Sequence, residues 1–84
     1  MLPHRLKAAR LKAGLSQERL GILAGIDEAT ASARMNQYEQ GIHTPDFKLA
    51  CRLASVMNIP ACYFYTEEDG LADMILRYNE SRLV

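Results

Sequence analysis

The sequence contains little of what catalysis or metal binding requires. Its 84 residues include no tryptophan, two cysteines and two histidines. Cys51 and Cys62 stand eleven residues apart, which matches no compact metal motif, and His4 and His43 have no metal-type spacing either. No nucleophile, base and orienting group can be assembled from the other polar residues. We therefore expect no enzyme activity, metal or cofactor, with buried or inert thiols and solvated histidines.

Long apolar runs and an excess of charge are also absent. No apolar stretch approaches the ~18 residues of a membrane helix, and the first residues lack the apolar stretch of a signal peptide. A cytoplasmic protein without membrane contact is expected, and no small-molecule ligand is evident. The net charge is zero, yet residues 1–52 carry eight basic and five acidic side chains, whereas residues 53–84 carry two and five. This segregation could steer an anionic partner to one end.

Apolar spacing and stop residues predict helices throughout, so the expected fold class is all-α. A first helix over 2–13 ends at Gly14. Ser16 is a good N-cap for a second helix over 17–24, which Gly25 ends by adopting a left-handed backbone. Two helices joined by such a tight turn are typical of a helix-turn-helix, whose second helix lies in the DNA major groove.

A third helix is predicted from an N-cap at Asp27 to about Gln40, with Gly21 in the second helix allowing close packing between helices. One stripe of this helix is apolar and is expected to face the core: Ala31, Met35 and Tyr38. Another stripe is small, polar and basic, as contact with base edges requires: Thr30, Ala33, Arg34 and Gln37. Arginine can pair with guanine and glutamine with adenine.

The second half predicts three more helices. Thr44 is expected to cap the fourth, with Pro45 at its first position, and its apolar face is predicted to comprise Phe47, Ala50, Cys51, Ala54 and Met57. Asn58 supplies a left-handed stop before a short helix from Pro60 to about Tyr65. Within that helix Phe64 is expected in the core, and Tyr63 and Tyr65 at the surface or in a subunit contact.

An acidic break over 67–70 precedes the last helix, whose apolar residues recur at helical spacing: Leu71, Met74, Ile75 and Tyr78. This apolar side exceeds what so small a core needs. The surplus is a candidate dimer surface.

Residues 6–64 resemble the Xre/Cro type of helix-turn-helix domain found in phage repressors and small bacterial regulators. The resemblance rests on these landmarks: Leu6, Arg10, Gly14-Leu15-Ser16-Gln17, Leu20, Gly25-Ile26, Tyr38-Glu39-Gln40-Gly41, Pro45, Leu53-Ala54 and Phe64. It implies a five-helix phage-repressor-like bundle over residues 1–66, with the helix-turn-helix at about 16–40. Residues 67–84 then form an additional C-terminal helical extension. The family usually binds two-fold operators as a homodimer.

The resemblance also implies roles for single residues. Gln17 would hold a DNA phosphate at the start of the second helix, the alternative being an exposed residue without a partner. Arg10 and Glu39 would form an internal ion pair, so Arg10 is not expected to contact DNA. If the third helix is aligned with the family pattern from its C-terminal end, the positions that face bases are Ser32, Ala33 and Gln37. Arg34 and Asn36 lie beside them. The expected DNA-binding set is Gln17, Thr30, Ser32, Ala33, Arg34, Asn36 and Gln37.

One departure from the family pattern leaves this register open. The chain is about four residues longer than usual between Gly25 and Glu39, roughly one helical turn. Either the third helix or the turn that leads into it is extended. If the helix begins at Asp27, then Glu28, Ala29 and Thr30 project further toward DNA.

The sequence thus predicts a sequence-specific DNA-binding transcriptional regulator that acts as a homodimer. The alternative is an antitoxin or protein-interaction module with a helix-turn-helix fold and secondary DNA binding, which the zero net charge and the apolar last helix keep open.

Overall fold

The computed structural model describes residues 1–82, and helices are the only regular elements in that range. The helices are α1 (Pro3–Lys12), α2 (Gln17–Leu23), α3 (Glu28–Glu39), α4 (Phe47–Val56), a 3₁₀ helix (Ala61–Tyr65) and α5 (Asp69–Arg82). The all-α class is confirmed, with five helical segments followed by an additional C-terminal helix. Residues 83 and 84, the end of the predicted C-terminal extension, lie outside the described residues.

Several predicted start and stop residues act as expected. The Ser16 hydroxyl accepts a hydrogen bond from the backbone N–H of Arg19 at 3.0 Å and so caps α2. Gly25 ends the following turn with φ of +94°, and Asn58 ends α4 with φ of +54°. Left-handed backbone is the usual termination of a helix, and glycine and asparagine are the residues that tolerate it.

The caps of α3 and α4 differ from expectation. Asp27 occupies the N-cap position of α3, but its side chain makes no capping hydrogen bond. The assignment of Thr44 as the cap of α4 was wrong, because Asp46 has an extended backbone and its carboxylate accepts from the backbone N–H of Leu49 at 2.8 Å. Pro45 therefore precedes the cap and is buried instead of opening the helix.

The core combines residues from every helix, and α4 contributes a different face from the one predicted. Leu49 and Leu53 are buried with Ala50 and Ala54, whereas Phe47 is 67% exposed. Positions i, i+1, i+4 and i+5 form one stripe of a helix, and Phe47 lies outside it. Cys51 and Met57 are half-buried, and Cys62 is exposed, so neither thiol is fully buried; His4 and His43 are exposed as expected.

Phe64 is fully buried as predicted, but its neighbour Tyr63 is buried as well. The prediction of a surface Tyr63 was wrong because the Arg5 guanidinium covers its ring, with Cζ 5.7 Å from the ring centroid. Arg5 is itself only 7% exposed and donates to the backbone oxygens of Thr66 and Glu67, both at 3.0 Å. It also pairs with Asp69 at 2.8 Å, which ties α1 to the start of α5.

Gly21 lies where α2 and α3 approach most closely. A Cβ at this position would stand 3.0 Å from Cγ of Met35 and 3.1 Å from Cβ of Ala31. These contacts are shorter than ordinary van der Waals separation, so the absence of a side chain sets the distance between the two helices. The predicted role of Gly21 in close packing is confirmed.

Arg10 and Glu39 form a two-point ion pair between α1 and the end of α3. Nε of Arg10 lies 2.6 Å from Oε2 of Glu39, and Nη2 donates to Oε1 at 3.0 Å. The side chains are 11% and 3% exposed. Hydrogen bonding to Glu39 raises the pKa of Arg10, desolvation by burial opposes that rise, and the charge of Glu39 adds to it. Arg10 thus remains charged wherever the protein is folded.

No helix among the described residues is long and apolar enough to cross a membrane. No group of three or more histidine, cysteine or acidic side chains in the described range could hold a metal ion.

We expect Gly21→Val to lower the free energy of unfolding by about 1–3 kcal/mol, because its methyl groups must displace Met35 and Ala31. The matched control is Gly70→Val, since a Cβ at Gly70 meets no atom within 4 Å; its effect should stay within about 0.5 kcal/mol. Urea denaturation measures both. Equal losses for the two variants would contradict the close-packing role of Gly21.

We expect Arg10→Met to cost about 3–5 kcal/mol, because it leaves the Glu39 carboxylate buried without its cation. The double variant Arg10→Met/Glu39→Met removes both charges and should recover most of that loss. A double-mutant cycle by urea denaturation gives the coupling. Additive losses would mean that the two side chains do not depend on each other.

Candidate nucleic-acid interface

The turn between α2 and α3 is short and held from two sides. Within the turn the backbone N–H of Ile26 donates to the Gly21 oxygen at 2.9 Å. From α4, Nε of Arg52 donates to the Ala24 oxygen at 2.8 Å and so satisfies a carbonyl at the end of α2. The turn is therefore held by α2 and α4, while α3 itself packs on α2 and α1.

One stripe of α3 is buried, as the sequence predicts: Ala31, Met35 and Tyr38. At 3.6 residues per turn, Ala33 lies on the side opposite this stripe, with Ala29 one turn before it. Both alanines are exposed. The centre of the outward face thus consists of small side chains, which permit close approach of another surface.

The predicted DNA-binding residues of α3 surround this centre. Five of them are exposed and one, Gln37, is half-buried: Thr30, Ser32, Ala33, Arg34, Asn36 and Gln37. The hydroxyl of Thr30 donates to the Asp27 oxygen at 3.3 Å, in the first turn of the helix. Ala29 was absent from the expected set, although its spacing of four residues from Ala33 places it on the same face.

The open question of the additional turn has a structural answer. Helix α3 begins at Glu28, directly after Asp27, and continues for twelve residues to Glu39. The turn that leads into it comprises only residues 24–27. No loop longer than this turn precedes α3, and Glu28, Ala29 and Thr30 form its exposed first turn.

Arg34 lies at the edge of the outward face and bonds to the core side of the same helix. Its Nη2 donates to the hydroxyl of Tyr38 at 2.6 Å, and its Cζ is 5.7 Å from the Tyr38 ring centroid. Tyr38 is only 6% exposed. A buried ring thus supports the guanidinium from beneath, which limits the rotamers that Arg34 can adopt.

Gln17 has partners within the protein, contrary to the alternative of a residue without any. Its Nε2 donates to Oε1 of Glu39 at 3.2 Å and lies 3.4 Å from Oδ1 of Asn36. Glu39 is also the partner of Arg10. The structure therefore brings together Arg10, Gln17, Asn36 and Glu39, which connects the start of α2, the outward face of α3 and α1.

The basic residues of the first half divide into two groups. Five of them make hydrogen bonds or ion pairs within the protein: Arg5, Arg10, Lys12, Arg34 and Arg52. The remaining cations of this half are all exposed: Lys7, Arg19 and Lys48. The positive charge of the first half is thus partly structural, and fewer cations can contact an anionic partner than the composition suggests.

Arg5 and Arg52 are the residues of consequence that sequence reasoning missed. Both satisfy backbone carbonyl groups far away in sequence, at Thr66 and Glu67 for Arg5 and at Ala24 for Arg52. The sequence around a single arginine does not indicate which distant backbone carbonyl group it will bind. The only available indication was the position of Arg5 among the apolar residues of α1.

Comparison with known proteins agrees with this geometry. A family model described as Helix-turn-helix matches residues 6–64. A solved structure, described as the crystal structure of transcriptional regulator BswR, is similar with a TM-score of 0.90 and 52% sequence identity, over 94% of this chain and 78% of that one. No curated protein matches significantly. The matched model covers more than half of the sequence, and the chain belongs to the Xre/Cro-like helix-turn-helix family.

Proposed function

We propose that this protein is a sequence-specific DNA-binding transcriptional regulator that occupies a two-fold operator as a homodimer. The observation that carries the proposal is the outward face of α3, small at its centre and polar at its edges, on a helix that packs on α2 and is paired to α1 through Arg10 and Glu39. The family and the similarity to a transcriptional regulator support it. Because its target is genomic DNA, we place the protein in the cytoplasm.

In this proposal α3 enters the major groove with its first turn leading. Ala29 and Ala33 let the helix approach base edges and thymine methyl groups. Arg34 pairs with guanine and Gln37 with adenine, the side-chain and base combinations whose donors and acceptors match. Thr30, Ser32 and Asn36 contact adjacent bases or phosphates at the edges of the face.

Gln17 contacts a phosphate beside the groove. Its amide is already hydrogen-bonded to Glu39 and Asn36 in the protein without DNA. A phosphate contact therefore exchanges one of these bonds for a charge-assisted one, while the Arg10 pair keeps Glu39 neutralised. Phosphate contacts fix orientation and carry no base preference.

The dimer surface is a stripe on α5. Leu71, Met74 and Tyr78 occupy positions i, i+3 and i+7 and are 49%, 63% and 63% exposed. Ala72, on the opposite side of the helix, is buried against the bundle. An apolar stripe on the outer side of a terminal helix suits an isologous contact, in which the same helix of a second copy covers it.

The first test is selection of bound sites from random duplex DNA. We expect a consensus with two-fold symmetry and half-sites spaced by about one helical turn, 10–10.5 base pairs, because two symmetric copies of α3 must reach successive major grooves. Failure to enrich any sequence would contradict the proposal and favour the protein-interaction alternative.

On the selected site we expect Arg34→Ala and Gln37→Ala each to reduce discrimination at one base pair by about 1–3 kcal/mol. Arg34→Lys keeps the charge but loses the bidentate geometry, so it should lose the same discrimination. Gln17→Ala should weaken all sequences similarly. Fluorescence anisotropy on the consensus and on single-base variants measures these effects, with Arg77→Ala on α5 as the control for charge loss. Unchanged specificity in both α3 alanine variants would exclude this register.

For the dimer, Met74→Lys should shift sedimentation toward the monomer, because it places a charge inside an apolar contact. Asp73→Asn also raises the net charge by one unit, at the residue that precedes Met74 and outside the stripe. It should leave the dimer intact. Monomeric wild-type protein at high concentration, both free and on DNA, would contradict the homodimer.

A further inference from the structure

Helix α5 makes its polar contacts with the bundle at its two ends. Arg5 pairs with Asp69 at the first residue of the helix. Near the other end Lys12 pairs with Glu80 at 2.8 Å, and Nδ2 of Asn79 donates to the Asn58 oxygen at 2.6 Å. Among the described residues of α5, only Ala72 is buried. Between these polar contacts, Ile75 and Leu76 are half-buried and pack against the core.

A cavity of about 200 Å³ lies in the space between α1, the end of α4, the 3₁₀ helix and α5. Its floor includes the buried residues Ala9 and Tyr63, and its walls include the half-buried Met57, Ile59 and Leu76. Voids larger than a water molecule are few in a well-packed domain. The sequence gives no sign of this cavity, because its lining comes from four separate segments.

The polar residues at the mouth are those that hold α5. Lys12 and Glu80, and Asn58 and Asn79, line the cavity together with the apolar residues. The site therefore combines an apolar interior with a few polar groups at one edge, which is the usual composition of a small-molecule site. Its size is below that of typical drug-sized pockets, of roughly 300–1,000 Å³, but above that of a cavity of about 150 Å³ that accepts benzene.

We propose that this cavity binds a small molecule consisting of one aromatic ring with a single small polar substituent. The ring lies between Met57, Ile59 and Leu76, and the substituent points to the mouth, where the Asn79 and Glu80 side chains can accept a hydrogen bond. Such a ligand packs against α5 and the bundle at once, so it adds contacts between Leu76 and the end of α4. The binding is independent of DNA.

The test uses p-cresol as the probe and protein labelled with ¹³C in its methionine methyl groups. Three of the four methionines report on different places, since Met57 lines the cavity, Met35 is in the core and Met74 lies on the outer side of α5. We expect a saturable shift of the Met57 methyl signal, with a dissociation constant in the millimolar range or below, and smaller shifts at Met35 and Met74. Toluene, which lacks the hydroxyl, should bind several-fold more weakly.

Ala8→Leu supplies the decisive variant, because Ala8 is exposed at the edge of the cavity and a leucine there extends into it. We expect at least tenfold weaker p-cresol binding with the unfolding temperature retained. The control is Cys62→Leu, a small exposed residue of the 3₁₀ helix outside the cavity lining, which should bind as the wild type does. Ala13→Leu, from the same lining, repeats the test if Ala8→Leu lowers stability.

Three results would overturn the proposal: a shift that does not saturate, a shift at Met74 larger than that at Met57, or unchanged binding in the folded leucine variants. Toluene binding as tight as p-cresol binding would overturn the polar substituent. Because the titration contains no DNA, its failure would leave the DNA-binding proposal unaffected. Conversely, a protein without a selected operator could still bind p-cresol.

Discussion

The two-point pair between Arg10 and Glu39 is the interaction on which the arrangement of the other helices depends. It joins α1 to the last residue of α3 in a site where both side chains are nearly excluded from solvent. A buried charge pair gains little over apolar packing, but it is costly to break on one side and it requires a specific geometry. Glu39 also accepts from Gln17 at the start of α2. One carboxylate therefore sets the relative positions of three helices.

Local signals in the sequence predicted the elements that depend on local chemistry. Ser16, Gly25 and Asn58 end or begin helices because a cap or a left-handed residue acts within a few residues of itself. The buried stripe of α3 was also predictable, because period 3.6 alone separates its faces. Thr44 and Asp46 are both good caps, however, and the choice between them depends on the burial of Pro45, which is a tertiary property.

Contacts between distant segments account for the parts that could not be predicted. Tyr63 was expected at the surface but is buried, because Arg5 covers its ring. Phe47 was expected in the core but is exposed, because it lies outside the buried stripe of α4. The α3 face was identified in outline, but the sequence left open where the helix begins. The number of residues between Gly25 and Glu39 can be counted in the sequence. That number alone does not show whether an added turn would belong to a loop or to a helix.

The added turn and the attachment of α5 have a common physical basis. Each places a helix beyond what the bundle can pack, so its outer residues depend on a partner to cover them. In α3 the exposed first turn is small and polar, with an acidic Glu28, which is compatible with base edges but unfavourable beside phosphates. In α5 the stripe of Leu71, Met74 and Tyr78 is apolar and exposed, whereas Ala72, Ile75 and Leu76 pack against the core. The same small core thus leaves two surfaces of opposite character, one suited to DNA and the other to a second copy of the chain.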